Sequence, residues 1–216
     1  DEEDRLNLRL LVYSGSSYKR YLAQLIADSF IAAGIQVTLE ECDSLENYRQ
    51  KLTLLDFPSR VACTVFFGGC NFRCPFCHNS DLLGNDAEVL YTDEEVLKFL
   101  AKRKGILEGV AITGGEPTLQ PDLRDFILRV RELGYRIKLD TNGSRPDVLK
   151  ALCEEGLIDY VAMDIKTCKE RYPDVIGIPS ANIGSILESV EFLKQGTVPY
   201  EFRTTVVKEF HQIDDF

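Results

Sequence analysis

The chain has 216 residues, 44% of them apolar, enough to bury the core of one large domain or of one domain with an appended piece. Its 35 acidic and 25 basic residues give a formal net charge of −10, which argues against a surface for duplex nucleic acid, where clustered Lys and Arg must meet phosphates. No apolar run approaches the roughly 18 residues of a membrane span, no secretory segment leads the chain, and an odd total of 7 cysteines fits a reducing cytoplasm better than a disulfide framework.

The first 50 residues read as a small βαβ unit. Leu8 to Val12 has the pattern of a strand, Tyr18 to Ala33 that of an amphipathic helix ending at Gly34, and Ile35 to Leu39 that of a second strand. The loop Ser14-Gly15-Ser16-Ser17 lacks the GxGxxG or GxxxxGK[ST] pattern of a nucleotide site. This segment faintly resembles a stretch of the oligopeptide-binding proteins of solute import systems, with no ligand residue to carry over, and it is expected to be a packing extension. The chain begins with Asp, as a processed or excised piece would.

From Val61 onward short apolar runs alternate with helical patterns, the signature of repeated βα units around a parallel sheet. Strands are predicted at Val61 to Phe67, Val110 to Thr113, Ile137 to Asp140, Tyr160 to Ile165, and Phe202 to Val207. Four helices lie between them. The first, Asp93 to Lys104, opens with a Thr92/Glu95 capping box and carries Val96, Phe99 and Leu100 on one face. The second carries Leu123, Phe126, Ile127, Val130 and Leu133 at helical spacing, begins after Pro121 and stops at Gly134. The third runs from Pro146 to about Glu155 and the fourth from about Ile183 to Lys194. Five parallel strands with right-handed crossovers predict a partial (βα) barrel.

The most specific motif follows the first of these strands. GGCNFRCPFCHN places Cys70, Cys74 and Cys77 at CxxxCxxC spacing, so three thiolates on one loop can hold three irons of a [4Fe-4S] cluster. A closed cluster takes four cysteines, so one iron would stay open to a ligand. A zinc site that adds His78 is the alternative, although adjacent ligands are awkward around one tetrahedral ion. Cys42, Cys63, Cys153 and Cys168 stand singly and read as structural thiols. TGGEP (Thr113 to Pro117) and DTNG (Asp140 to Gly143) follow the next two strands, and the fourth strand ends in MDIK (Met163 to Lys166). In parallel α/β sheets ligands bind at these carboxyl ends. Taken singly, GGEP is an ordinary turn, DTNG a helix cap or tight turn, and Asp164 with Lys166 a solvated pair.

CxxxCxxC with Phe76 before the last cysteine, followed one strand later by GGE, resembles the radical S-adenosylmethionine enzymes over residues 51 to 216. Within them, LTLLDFPSRVACTVFFGGCNFRCPFCHN with TGGEPTLQ, DTNG and DIK is similar to the activating proteins of anaerobic ribonucleoside-triphosphate reductase, which belong with the glycyl-radical-enzyme activases. The resemblance implies that Cys70, Cys74 and Cys77 ligate the cluster and that its open iron takes the amino and carboxylate groups of S-adenosylmethionine. Phe76, Cys77 and His78 would lie near the adenine, and Gly114, Gly115 and Glu116 would meet the methionyl ammonium. Asp164 and Lys166 would face the ligand together, with Arg203 as a carboxylate partner. Asp140, Thr141 and Asp164 would line a monovalent cation site.

The implied reaction is reductive cleavage of S-adenosylmethionine to a 5'-deoxyadenosyl radical, which takes a hydrogen from a glycine of the partner reductase. A flavodoxin-like or similar electron donor would supply the reductant. Two other readings stand beside it: a radical enzyme acting on a small molecule or nucleobase, and a non-catalytic metal-binding interaction module. The resembling activases start just before LTLLDFP and run on to a sixth barrel strand. Residues 1 to 50 are therefore expected to be an addition joined near Gln50 and Lys51, and the last strand walling the site to be absent, weakening cofactor binding. His211, followed by acidic residues, is expected at the surface or at a helix start.

Overall fold

The computed structural model describes residues 7–13, 24, 27, 28, 31, 36–42, 56–84 and 89–212. The chain divides into two compact units, residues 1–55 and 56–216. In the first, β1 (Asn7–Tyr13) and β2 (Gln36–Cys42) pair in parallel, from Asn7 against Gln36 to Tyr13 against Cys42. A parallel pair needs a crossover, not a hairpin. Most of the helix expected there, like the Ser14–Ser17 loop and the junction at Gln50 and Lys51, lies outside the described residues; Gln24, Ala27, Asp28 and Ile31 are helical.

The second unit runs β3 (Ala62–Phe67), α1 (Asp93–Ala101), β4 (Gly109–Gly114), α2 (Leu123–Glu132), β5 (Arg136–Thr141), α3 (Pro146–Glu154), β6 (Tyr160–Asp164), α4 (Tyr172–Val175), α5 (Ile183–Lys194) and β7 (Tyr200–Arg203). Strand order in the sheet is β3-β4-β5-β6-β7, every pair parallel, so the expected partial barrel is the observed one. Helix α1 starts where the sequence places it. The Thr92 hydroxyl accepts from the Glu95 N–H, and the Glu95 carboxylate accepts from the Thr92 N–H at 2.9 Å. Its buried side is Leu97 and Leu100. Phe99, expected inward, is 44% exposed and lies under the Arg103 guanidinium, 5.2 Å from its ring centre.

Alternation along each strand separates two faces. Val110 and Ile112 of β4, Ile137 and Leu139 of β5, and Val161 and Met163 of β6 are wholly buried in the apolar core. Leu123, Phe126, Ile127 and Val130 of α2 complete that core as their helical spacing predicts. The intervening positions carry polar or small residues that the register lays side by side: Thr64, Ala111, Lys138 and Tyr160 in one row, Asp140, Ala162 and Glu201 in the next, then Asp164 and Arg203. This second face lines the barrel interior and leads up to the strand ends.

At the opposite end Asp159 ties α2 to β5. It accepts from Arg131 at 2.8 Å, from the Ile137 N–H at 2.8 Å, and from Arg136 at 2.5 Å. Burial alone would raise this carboxyl, but Arg136, the Ile137 N–H and Arg131 together outweigh it and hold the pKa below the usual aspartate range. A depressed folded pKa contributes stability that is complete above the ordinary aspartate value and drains as pH falls through the lowered one. Asp159→Asn is expected to cost about 2 kcal/mol at neutral pH. Melting curves of the two proteins should converge as the pH falls through that window.

Candidate active site

The loop after β3 is fastened to the loop after β4 by backbone contacts that leave no room for side chains. The Gly115 N–H donates to Phe67 O at 2.8 Å, the Glu116 N–H to Gly69 O at 2.8 Å, and the Gln120 amide to Gly68 O at 2.6 Å. A Cβ on Gly115 would fall 2.1 Å from the Gly69 carbonyl, and Gly114 sits at φ +125° with its missing Cβ 2.2 Å from Phe67 O. These glycines bring the two loops to near contact. The cysteine loop is also anchored from the other side, where the Arg73 N–H donates to Ile176 O at 2.8 Å and the Arg73 side chain donates to Phe72 O at 2.7 Å.

Cys70, Cys74 and Cys77 all face one cavity of about 210 Å³. The Phe72 N–H lies 3.4 Å and the Asn142 amide 3.9 Å from Cys70 Sγ, both donors that suit a sulfur carrying negative charge. Burial pushes the Cys74 thiol up to about 11 and raises Cys70 as well, so ligation of a metal must displace protons. Cys63, Cys153 and Cys168 do not line this cavity, so among the described cysteines three thiols face it. The chemistry of these donors fits a [4Fe-4S] cluster with one iron open.

The cavity runs from the cysteines across the strand ends. Phe76, His78, Gly114, Gly115, Glu116, Asp140, Thr141, Asp164, Lys166 and Arg203 all contribute to its wall, so the structure gathers every residue the sequence singled out. Lys166, two residues past the end of β6, places its Nζ 2.9 Å from Asp164 Oδ2. Arg203 donates to Asp164 through Nε at 3.1 Å and to Asp140 at 3.2 Å. Burial alone would raise Asp164, but Lys166 and Arg203 outweigh it and hold its carboxyl below the usual range.

Glu116 has a different place from the one its motif suggests. It is completely buried, and its carboxylate accepts from the Thr118 N–H at 3.1 Å, the Thr118 hydroxyl, the Thr141 hydroxyl at 2.7 Å and the Asn142 N–H at 2.6 Å. Burial raises its pKa while these donors pull it back. Its carboxylate therefore joins the TGGEP loop to the DTNG loop. Thr141 is committed in the same bond, so its hydroxyl is directed at Glu116.

Two residues escaped the sequence reading. Asn142 joins the loops through Cys70 and through Asn71 Oδ1 at 3.0 Å. Lys138, two residues before Asp140, is 1% exposed with its ammonium on the Asp140 carboxylate. The period-two spacing within RIKLD was the available signal. His211 is corrected from a surface position to a buried one. It is 8% exposed, its Nε2 lies 2.6 Å from Lys166 O, its Nδ1 lies 3.1 Å from the Val207 N, and its ring packs edge-on to Phe76 at 5.8 Å. The turn Val207–Phe210 thereby closes over Phe76, whose ring also meets Phe210 at 5.5 Å.

Residues 64–212 match the model of the Radical SAM superfamily. A Methanocaldococcus jannaschii protein described as a "putative glycyl-radical enzyme activating enzyme" is 33% identical over 76% of this chain and 69% of its own length. The pyruvate formate-lyase-activating enzyme of Clostridium pasteurianum is 32% identical over 66% and 61%, and a "probable GTP 3',8-cyclase" of Thermococcus kodakarensis 32% over 64% and 45%. The chain thus spans less than two thirds of the length of these last two. Among solved structures, anSMEcpe with bound AdoMet shares the fold with a TM-score of 0.51 and 20% identity, over 65% of this chain and 42% of that one. With three cysteines facing one cavity at the strand ends and the family pattern running from β3 past β7, the chain belongs to the radical S-adenosylmethionine superfamily, whose cofactors are a [4Fe-4S] cluster and S-adenosylmethionine.

Proposed function

We propose that this chain is a glycyl-radical-enzyme activase whose protein substrate is an anaerobic ribonucleoside-triphosphate reductase. The observation that carries the activase reading is the 33% identity to the Methanocaldococcus jannaschii protein over most of both chains, supported by the match to the Clostridium pasteurianum activase. In this reading Cys70, Cys74 and Cys77 hold three irons of the cluster. Phe76 and His78, with the Cys77 backbone, flank the adenine, the backbone of Gly114, Gly115 and Glu116 receives the methionyl ammonium, and Lys166 and Arg203 receive its carboxylate, with Asp164 holding both cations in place. When bound and reduced, the cluster would supply one electron to cleave S-adenosylmethionine into methionine and a 5'-deoxyadenosyl radical, which would become 5'-deoxyadenosine on taking one hydrogen atom from the partner's glycine. The protein's own task is to orient the sulfonium and keep water away. The electron comes from a flavodoxin-like donor in a reducing cytoplasm. The six cysteines described are free thiols, and among the described residues no helix is long and apolar enough to cross a membrane.

The test is anaerobic. Protein reconstituted with iron and sulfide, then reduced, should convert S-adenosylmethionine to 5'-deoxyadenosine, and addition of the reductase should produce a glycyl-radical doublet by electron paramagnetic resonance. The similarity to a GTP 3',8-cyclase favours a second reading, a small-molecule or nucleotide substrate. Modification of a nucleotide in the absence of any reductase, with no glycyl radical in its presence, would replace the first reading with the second.

A further inference from the structure

Five charged side chains alternate in sign across the ends of β5, β6 and β7. Lys138 meets Asp140, Arg203 bridges Asp140 and Asp164, and Lys166 meets Asp164. Four of the five line the cavity; Lys138 lies beneath that lining, on the same face of β5 as Asp140 and nearly sealed from solvent. A lysine this deeply buried normally loses its charge or finds a carboxylate, and here the carboxylate belongs to the site. Asp140 divides its two oxygens, Oδ1 to Lys138 and Oδ2 to Arg203.

The ion-pair chain has its own balance of charge. Three cations against two carboxylates leave one positive charge over, which suits a ligand carboxylate. Glu201, on the same face through its register with Ala162, brings the wider cluster to neutrality. Without Lys138 the five-residue chain has no excess charge, the wider cluster is net negative, and Arg203 is drawn down onto an Asp140 that has lost one of its two cations. Either change weakens the reception of a carboxylate at the cavity.

We infer that Lys138 is a positioning residue that serves as a built-in monovalent cation: its ammonium pairs with Asp140 Oδ1 and weakens that carboxylate's hold on Arg203, which lines the cavity and can then take the methionyl carboxylate. This rests on reading the cavity as the S-adenosylmethionine site. It replaces the separate cation implied for Asp140, Thr141 and Asp164, in keeping with the commitment of the Thr141 hydroxyl to Glu116.

Two measurements at matched ionic strength test it, with choline, sodium or potassium as the sole monovalent cation. Cluster-free protein is melted, and S-adenosylmethionine affinity is measured on reconstituted protein. The native chain should show the same melting temperature and affinity in all three salts. Lys138→Ala should melt lower in choline and recover in sodium or potassium, and should bind S-adenosylmethionine about tenfold more weakly in choline, the scale of one lost charge-assisted contact, with recovery on adding either small cation. Lys138→Met, which fills the space without charge, should be weak in every salt, and Lys138→Arg should stay independent of the cation. A native chain whose melting or affinity depends on sodium or potassium would overturn the inference without recourse to any variant. So would a Lys138→Ala protein indifferent to the salt. If reconstituted native protein binds no S-adenosylmethionine, the cofactor reading fails instead, and the cluster-free melts still decide whether Lys138 stands in for a cation.

Discussion

Replacing Cys74 by Ala is expected to abolish both the visible absorbance of the reconstituted [4Fe-4S] cluster and the formation of 5'-deoxyadenosine. The loss should exceed the roughly 100-fold effects typical of removing a group outside the ligand set. Two thiolates cannot replace three, and the other described cysteines lie away from the cavity. Cys74 is the most buried of the set, and its carbonyl accepts the Cys77 N–H at 3.1 Å, a bond that Ala retains. The folded chain should therefore survive the change with a small loss of stability. Cys153→Ala is the matching control. Burial pushes that thiol up to about 12, it packs against the apolar core, and its removal should alter the melting temperature while leaving the cluster and the product intact. Persistence of the cluster in Cys74→Ala would remove this residue from the ligand set.

Glu116→Ala should produce the largest loss of stability among single changes at the site, about 3 kcal/mol or more. Four donors converge on this carboxylate in a region closed to water, and truncation strands all of them. A hydrogen bond to a charged group contributes about 1.5–3 kcal/mol, and each buried donor left unpaired costs a comparable amount. For a domain of this size the loss corresponds to a fall of about 6–12 °C in melting temperature. Glu116→Gln should recover only part of it, because one of its two polar groups is an NH₂ facing N–H and O–H donors. Calorimetry on the cluster-free protein isolates the structural effect. A change under about 0.5 kcal/mol in the Ala variant would show that the two loops hold each other without Glu116.

Parts of this site were legible because they depend on short spacings. CxxxCxxC fixes three sulfurs on one loop, and the placement of GGE, DTNG and DIK at the carboxyl ends of β4, β5 and β6 puts them at one rim of any parallel sheet. The strand and helix patterns gave β3 to β6 and α1, α2, α3 and α5 to within a few residues. The last strand was read too late. TTVV at 204–207 favours strand by composition, yet β7 is Tyr200–Arg203, because Arg203 lies opposite Asp164, the final residue of β6, and the chain beyond it has no neighbour to pair with. Phe99 shows the same limit: its spacing allowed either of two adjacent faces, and packing chose Leu97 with Leu100.

By itself the sequence determined the three cysteines on one loop, the parallel alternation of strands and helices and the rim at which the motifs gather, since each follows from residue types at local intervals. The tertiary structure alone decided which polar groups answer one another. His211 is buried because the carbonyl of Lys166, 45 residues earlier, is there to meet it. Glu116 is a brace because Thr141 and Asn142 arrive from the next loop. The depth at which Lys138 meets Asp140 exists because neighbouring strands close over the lysine and leave the carboxylate at the cavity. Burial and charge pairing are set by what lies across the sheet, and a linear chain carries no record of those distances until it folds.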